Sequence, residues 1–240
     1  MKSLNIIFPV LNEENRLKNG SDKTVAFMHE NIRMPFQLNI VDNGSTDRTE
    51  QIALDLCKQY PELHYTKITE KGLGIAFRVG VQKNLSDYVG YMDIDLATDL
   101  KHLLQVEELF TKDSDLEFIN GSRFHKQSVV SGRKWYRNIT SYGLLFMLHT
   151  FLKMKATDSI CGFKFFKKET AEKLIATSSQ DDNGWFFIIE MLLRAERTGV
   201  KIHELPVEWF DDSQTSVKFM ATIKNYTYNI WRLYKIFNKR

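Results

Sequence analysis

The sequence predicts an α/β protein built on a mostly parallel, doubly wound sheet with helices on both faces. Three observations point there. Short apolar runs of strand length alternate with longer segments whose apolar residues recur at helical spacing. Polar clusters follow those runs, where parallel sheets gather ligands beyond the carboxyl ends of their strands. A chain of 240 residues, 43% hydrophobic, has enough apolar material for one sizeable core, so a single domain over 1–240 is expected.

In chain order, strands are expected at LNIIFPV (4–10), FQLNIVD (36–42), LHYTKI (63–68), YVGYMD (88–93) and LEFING (116–121), with helices over 47–60 and 99–110. The strand tips carry Asn12, Glu13 and Glu14, then 42–47, then 93–99, then Arg123, so polar groups converge on one rim. Beyond about residue 130 the pattern loosens. Segments 134–152 and 216–237 read as amphipathic helices rich in aromatics and cations, and GFKFF and KIHELPVEWF as short strands. No internal repeat, low-complexity tract or linker intervenes, so the second half is expected to complete the same domain.

A net charge of +3 is too small to imply nucleic acid, but its distribution is uneven. Residues 121–157 carry Arg123, Lys126, Arg133, Lys134, Arg137, Lys153 and Lys155 without an acid until the next residue, Asp158, and 215–240 carry Lys218, Lys224, Arg232, Lys235, Lys239 and Arg240 with none. Both stretches are expected to meet anions. Two cysteines, Cys57 and Cys161, make no disulfide framework and show no metal-ligand spacing, which suits a reduced, cytoplasmic setting. The N-terminal apolar run is too short for a signal sequence, and no segment reaches the length of a membrane span. The expectation is a protein that is soluble or lies on a membrane without crossing it.

Three motifs are chemically suggestive. VDNGSTDRTEQ (41–51) is a strand-turn-helix connection in which Asp42 and Asn43 either serve the turn or meet a base edge or ribose. KGLGIAFRVG (71–80) has Gly72 and Gly74, but Phe77 stands where a dinucleotide fingerprint needs its third glycine; Lys71 and Arg78 face either a diphosphate or solvent. Asp93 and Asp95 end an apolar run. They are either a polar strand end with a helix cap, or a pair of carboxylates spaced to hold Mg²⁺ or Mn²⁺, ions that prefer few protein oxygens together with phosphate oxygens.

Taken together, FPVLNEEN, VDNGSTD, KGLGIAFRVG, DIDLAT, GSRF, DSICGFKFF and HELPVEW occur in the order found in family 2 glycosyltransferases of GT-A fold. The chain resembles most the polyprenyl-phosphate glucosyl- and mannosyltransferases, over about residues 4–218. That resemblance implies a nucleotide pocket lined by Pro9, Asn12, Glu13 and Asp42, and Asn43, Lys71, Arg78, Asp93 and Ile94 are expected to join them in binding the nucleotide sugar. It implies a divalent metal on Asp93 and Asp95, and an acceptor phosphate received by Arg123, Arg133 and Arg137. Two departures stand out. Trp185 to Glu190 reads WFFIIE where many relatives read W-x-F-D-x-E, so Ile188 replaces an aspartate and Glu190 is left to orient the acceptor or to sit solvated on a helix. Asn43 replaces a second aspartate. A sugar hydroxyl needs a general base at such a place, whereas a phosphate is already an anion and needs none.

The expectation is therefore inverting transfer of a hexose from a nucleotide sugar, UDP-glucose before GDP-mannose, to a polyprenyl phosphate. Transfer to a polysaccharide, teichoic-acid or glycolipid hydroxyl, and a non-catalytic nucleotide-sugar-binding subunit, are the alternatives. Cations flanking the aromatic face of 216–240, aided by 134–152, suggest peripheral docking on an anionic membrane. His203 and Cys161 read as structural.

Overall fold

The computed structural model describes residues 1–210 and 219–238, apart from the side chains of 136 and 219–223. The helix and charge expectations for residues 216–218 and 239–240, including Lys218, Lys239 and Arg240, and for the side chains of Phe219, Met220 and Ile223 lie outside the described residues.

β1 (Leu4–Val10) lies at the centre of the sheet because both of its faces are apolar: Ile6 and Phe8 enter one core and Ile7 the other, all fully buried. From it the chain winds outward through α1 (Leu17–Asn31), β2 (Phe36–Asn43), α2 (Thr49–Gln59) and β3 (Leu63–Ile68). α3 (Leu73–Gln82) then carries it back across β1 to β4 (Tyr88–Met92), so the winding reverses between β1 and β4. Ligands bind beyond the strand ends at such a reversal.

After α4 (His102–Lys112), β5 (Phe118–Ser122) leaves one place open in the sheet, and β7 (Phe163–Lys167) fills it antiparallel to both neighbours. β8 (Ile202–Pro206) closes the edge parallel to β5, giving the order β3-β2-β1-β4-β7-β5-β8. Between β5 and β8 lie β6 (Val129–Ser131), α5 (Trp135–Leu152), α6 (Lys168–Thr177) and α7 (Phe186–Thr198). β9 (Glu208–Phe210) pairs with β6 in a separate two-stranded sheet, and α8 (Phe219–Phe237) ends the described chain.

Helices α1, α2 and α4 cover one face, and α3, α5, α6, α7 and α8 the other. β7 and β8, from the second half of the chain, thus lie in the same sheet as β1 to β5. Small differences have local causes. The helix expected from 99 starts at His102 because Asp99 turns the chain first, its carboxylate accepting from the Lys101 N–H at 2.9 Å. The strand expected from 116 starts at Phe118, with Leu116 buried as the last residue of the preceding turn. Among the described residues, no helix is long and apolar enough to cross a membrane.

Candidate active site

The loops after β1 and β2 are zipped together. Asn12 takes a left-handed φ of 57°, which asparagine tolerates. Its N–H donates to Ser45 Oγ at 2.9 Å and its Oδ1 accepts from the Thr46 N–H at 2.8 Å. One residue on, the Glu13 N–H donates to Thr49 Oγ1 at 2.8 Å. Asp42 is fully buried, accepting from the Ser45 N–H and from the Tyr65 hydroxyl, both at 2.8 Å. Burial, and then this carboxylate, push the Tyr65 phenol up. Asn43 donates to the Val10 carbonyl at 2.7 Å and accepts from the Gly72 N–H at 3.0 Å. Of the two readings left open for Asp42 and Asn43, service to the turn is the one the structure displays. Pro9 lies half-buried near the end of β1, Lys71 is exposed beside the Gly44 turn, and Ile94 is buried under α1.

Asp93 follows β4 and donates its N–H to the Gly162 carbonyl at 3.2 Å. A Cβ on Gly162 would lie 2.0 Å from Asp93 Oδ2, so only glycine lets the carboxylate fit there. Burial, then repulsion from Asp95, push the Asp93 carboxyl up to about 7, against the pull of Arg123. Asp95 caps its own turn, Oδ1 accepting from the Ala97 N–H at 3.0 Å, while Oδ2 lies 3.8 Å from Arg16 Nη1. Arg16 also forks onto Glu13 at 2.7 and 2.8 Å. Burial raises the Glu13 carboxyl, Arg16 opposes this, and Asp95 and Asp47 add to it.

Three acids, Glu13, Asp93 and Asp95, thus crowd one guanidinium at the point where the winding reverses. A carboxyl held near 7 by burial and a like charge is short of positive charge, and that fits a divalent cation. Among the described residues no group of three or more His, Cys, Asp or Glu side chains is spaced to hold a metal. An ion here would complete its shell with water and phosphate oxygens, the habit of Mg²⁺ and Mn²⁺.

The cations gather beyond β5. Arg123 forks onto the fully buried Asp158 at 2.7 and 3.0 Å, and its own N–H donates to the same carboxylate at 3.0 Å. Burial alone would raise Asp158, but the guanidinium more than cancels it and holds the carboxyl below its ordinary range. Arg133 donates to Ser141 Oγ at 2.7 Å and to the Arg137 carbonyl at 3.2 Å. Both guanidiniums lie near the rings of Phe124 and Trp209, with Cζ to centroid distances of 5.4 to 5.5 Å. Contacts of this kind contribute roughly 0.5–2 kcal/mol each. Arg123, Phe124, Val130, Gly132, Arg133, Asn138 and Tyr142 enclose a cleft of about 250 Å³. Arg137 stands in the first turn of α5 next to Asn138. Behind the cleft the buried Lys164 donates to Asn120, whose amide donates to the Asp158 carbonyl at 2.9 Å. Burial lowers the Lys164 ammonium.

Two expectations are corrected. Glu190 neither orients an acceptor nor sits solvated. It is fully buried on α7, with Oε1 accepting from Arg194 Nε at 2.8 Å and the Ser179 N–H at 3.2 Å, and Oε2 from Arg232 of α8. Residues 186–193 are all buried, so a glutamate among them requires cations to compensate its desolvation. Arg78 does not turn to the crevice. Its guanidinium donates to the carbonyls of Ser179 and Asp182 and to Asn183, and lies over the Phe187 ring. Five donors in a planar fork make arginine suited to gathering a loop's carbonyls. Ile188 is buried in the core.

Sequence reasoning missed Arg16, Asp158, Gly162, Lys164 and Trp209. Arg16 left a local signal, three residues after Glu13 at the start of a helix, and the others lay within the motifs DSICGFKFF and HELPVEW without being singled out.

The family model "Glycosyl transferase family 2" matches residues 5–175. The dolichyl-phosphate beta-glucosyltransferase of Dictyostelium discoideum is 28% identical, over 96% of this chain and 76% of its own. Glycosyltransferase AglD of Haloferax volcanii is 29% identical over 92% of this chain, which spans only 35% of that longer protein. Among solved structures, glucosyl-3-phosphoglycerate synthase from Mycobacterium tuberculosis in complex with Mn²⁺ and UDP-glucose superposes with a TM-score of 0.68. It covers 97% of this chain and 79% of its own at 13% identity, a likeness that shows the fold. With the GT-A fold in place and the family match spanning more than half its length, the chain belongs to glycosyl transferase family 2.

Proposed function

We propose that the protein transfers a hexose, glucose from UDP-glucose, to a polyprenyl phosphate, with inversion at the anomeric carbon. The observation that carries this reading is the meeting of two opposite charge clusters at one end of the sheet: the acids Glu13, Asp93 and Asp95, and the guanidiniums of Arg123 and Arg133 on their aromatic rings. The Arg123 guanidinium pulls electrostatically on the Asp93 carboxyl, so the two clusters act on each other.

Asp93 and Asp95 are the residues that would hold Mg²⁺ or Mn²⁺, which when bound neutralises charge on the departing nucleotide diphosphate. Asn12, Glu13 and Lys71 edge the nucleotide side above Pro9 and Ile94, with Asp42 and Asn43 fixing the loops from beneath. Arg123 and Arg133, with Arg137 beside them, receive the acceptor phosphate and orient it for in-line attack. The phosphate oxygen bonds to the anomeric carbon as the bond to the nucleotide diphosphate breaks. No proton has to be removed, which accords with Ile188 being a core residue. The names of the Dictyostelium discoideum relative and the UDP-glucose complex support the donor and acceptor classes.

The same reading places the protein at a membrane surface. α5 exposes Trp135 (73%), Ile139, Tyr142 and Phe146 (68%) at helical spacing, and α8 exposes Tyr228, Trp231 and Tyr234. Lys134, Lys153, Lys155, Lys224 and Lys235 flank these faces, a pattern suited to anionic headgroups.

Incubation with labelled UDP-glucose, GDP-mannose or UDP-N-acetylglucosamine, each with polyprenyl phosphate and Mn²⁺, followed by organic extraction, tests the reaction. Label is expected in the organic phase from UDP-glucose. Label from GDP-mannose instead would change the sugar, and none from any donor would leave a nucleotide-sugar-binding subunit. Sedimentation with anionic liposomes at low salt tests the docking, which fails if the protein stays in solution.

A further inference from the structure

The proposed reaction leaves Trp209 without a task. The ring meets two guanidiniums, at 5.4 Å from Arg123 Cζ and 5.4 Å from Arg133 Cζ, and Phe124 meets the same pair at 5.4 and 5.5 Å. Trp209 packs against the edge of one core but is only half-buried, and its neighbours Glu208 and Phe210 are exposed, so core filling accounts for part of the ring only.

The strand that carries it is tied in several directions. β9 pairs with β6, which leads to Arg133, and Trp209 forms a bridge with Thr98, three residues after Asp95. The Phe210 N–H donates to the Ala97 carbonyl at 2.8 Å and the Asp99 N–H to the Glu208 carbonyl at 3.1 Å. The Glu208 N–H donates to His102 Nε2 at 2.7 Å. Three residues therefore fasten the loop of the paired acids to the strand before Arg133.

We propose that Trp209 is a positioning residue for the acceptor anion: with Phe124 it seats Arg123 and Arg133 side by side, and through β9 it fixes that seat relative to the Asp93–Asp95 loop. The ring faces draw two like charges together that would otherwise separate, so an incoming monophosphate meets two guanidiniums already gathered at one place. The proposal rests on the reading of the cleft as the acceptor site.

Isothermal titration of the full chain tests it, with farnesyl monophosphate as a soluble isoprenyl phosphate, and with UDP and Mn²⁺ on the donor side. Trp209→Leu is expected to weaken farnesyl phosphate binding about ten-fold. UDP binding with Mn²⁺ should stay at its wild-type value, and Trp209→Phe should restore most of the loss. Unchanged farnesyl phosphate binding in Trp209→Leu overturns the proposal alone, as does an equal loss on donor and acceptor sides that phenylalanine does not rescue. A wild-type chain that binds UDP but no farnesyl phosphate overturns the acceptor reading and this proposal with it. Should Trp209→Leu fail to fold, Phe124→Leu removes the other ring and carries the same one-sided expectation.

Discussion

The rim after β1, β2 and β4 and the cleft after β5 hold opposite charges by opposite means. At the rim, Glu13, Asp93 and Asp95 crowd together with Arg16 as the guanidinium in contact, and burial followed by repulsion from Asp95 lifts the Asp93 carboxyl to about 7. In the cleft, Arg123 is matched by a single carboxylate, Asp158, so fully buried and so well bonded that its carboxyl stays below the ordinary range. The rim keeps charge uncompensated where a cation can arrive, while the cleft keeps its charge compensated and immobile. In the proposed reaction the rim would bind and release an ion, which suits a rearrangeable site, and the cleft would seat the second substrate, which suits a fixed one.

Breaking the cleft's pair should therefore give the largest effect. Asp158→Ala strands a buried guanidinium, a change that costs about 3–5 kcal/mol. Thermal denaturation should show the midpoint falling by roughly 10 °C. Asp95→Ala, which removes one of several repelling acids from a partly exposed turn, should leave the midpoint near its wild-type value. Equal losses from the two substitutions would erase the distinction between the regions.

Gly162→Ala attacks the rim through the backbone. Its methyl group would lie 2.0 Å from Asp93 Oδ2, so the carboxylate has to swing away. Binding of Mn²⁺ with UDP should weaken by about ten-fold, the loss expected when one carboxylate of a sparse site is displaced. Titration calorimetry checks this, and circular dichroism confirms that the sheet is retained.

How far each region was legible in the sequence follows the same division. The rim's acids each end an apolar run, so Asn12, Glu13, Asp93 and Asp95 can be placed from strand periodicity alone, and the DxD spacing suggests the ion. The cleft is assembled from residues far apart in the chain: Arg123 meets Asp158 across 35 positions, and both arginines meet Trp209. No local pattern encodes those meetings. Glu190 shows the limit clearly, since Arg194 one turn away was visible as a helical partner but Arg232, 42 positions on, was not. Gly162 and Arg78 were misjudged or overlooked for a related reason. The need for glycine arises only once β7 runs antiparallel beside β4, and the carbonyls that Arg78 gathers lie more than 100 positions away.

The rim's excess charge also predicts a pH dependence. Unfolded, Asp93 releases its proton near the ordinary value of 3.8; folded, near 7. A raised carboxyl stabilises the fold when protonated, so this contribution is fully present below 3.8 and is lost as pH rises through about 7. Asp158 acts in the opposite sense, but its contribution is lost only below 3.8, outside that window. Asp93→Asn removes the slope. Urea midpoints for the variant should gain on wild type between about pH 5 and about pH 8. A constant difference across that range would show that Asp93 is not the group responsible.

The smallest effect sharpens the comparison most, because it concerns the guanidinium that touches the rim's acids. Arg16 forks onto Glu13 and lies 3.8 Å from Asp95, so it partly offsets the charge that a divalent ion would meet. Both side chains are partly exposed, and such pairs contribute about 0–1 kcal/mol. Arg16→Gln should accordingly tighten Mn²⁺ binding in the absence of nucleotide, by no more than about five-fold, as read by electron paramagnetic resonance of the free ion. Arg16→Lys keeps the charge and should stay near wild type. If Arg16→Gln weakened Mn²⁺ binding instead, the arginine would be ordering the acids rather than competing with the ion. The rim would then be a preassembled structure like the cleft, and the contrast between a rearrangeable site and a fixed seat would be lost.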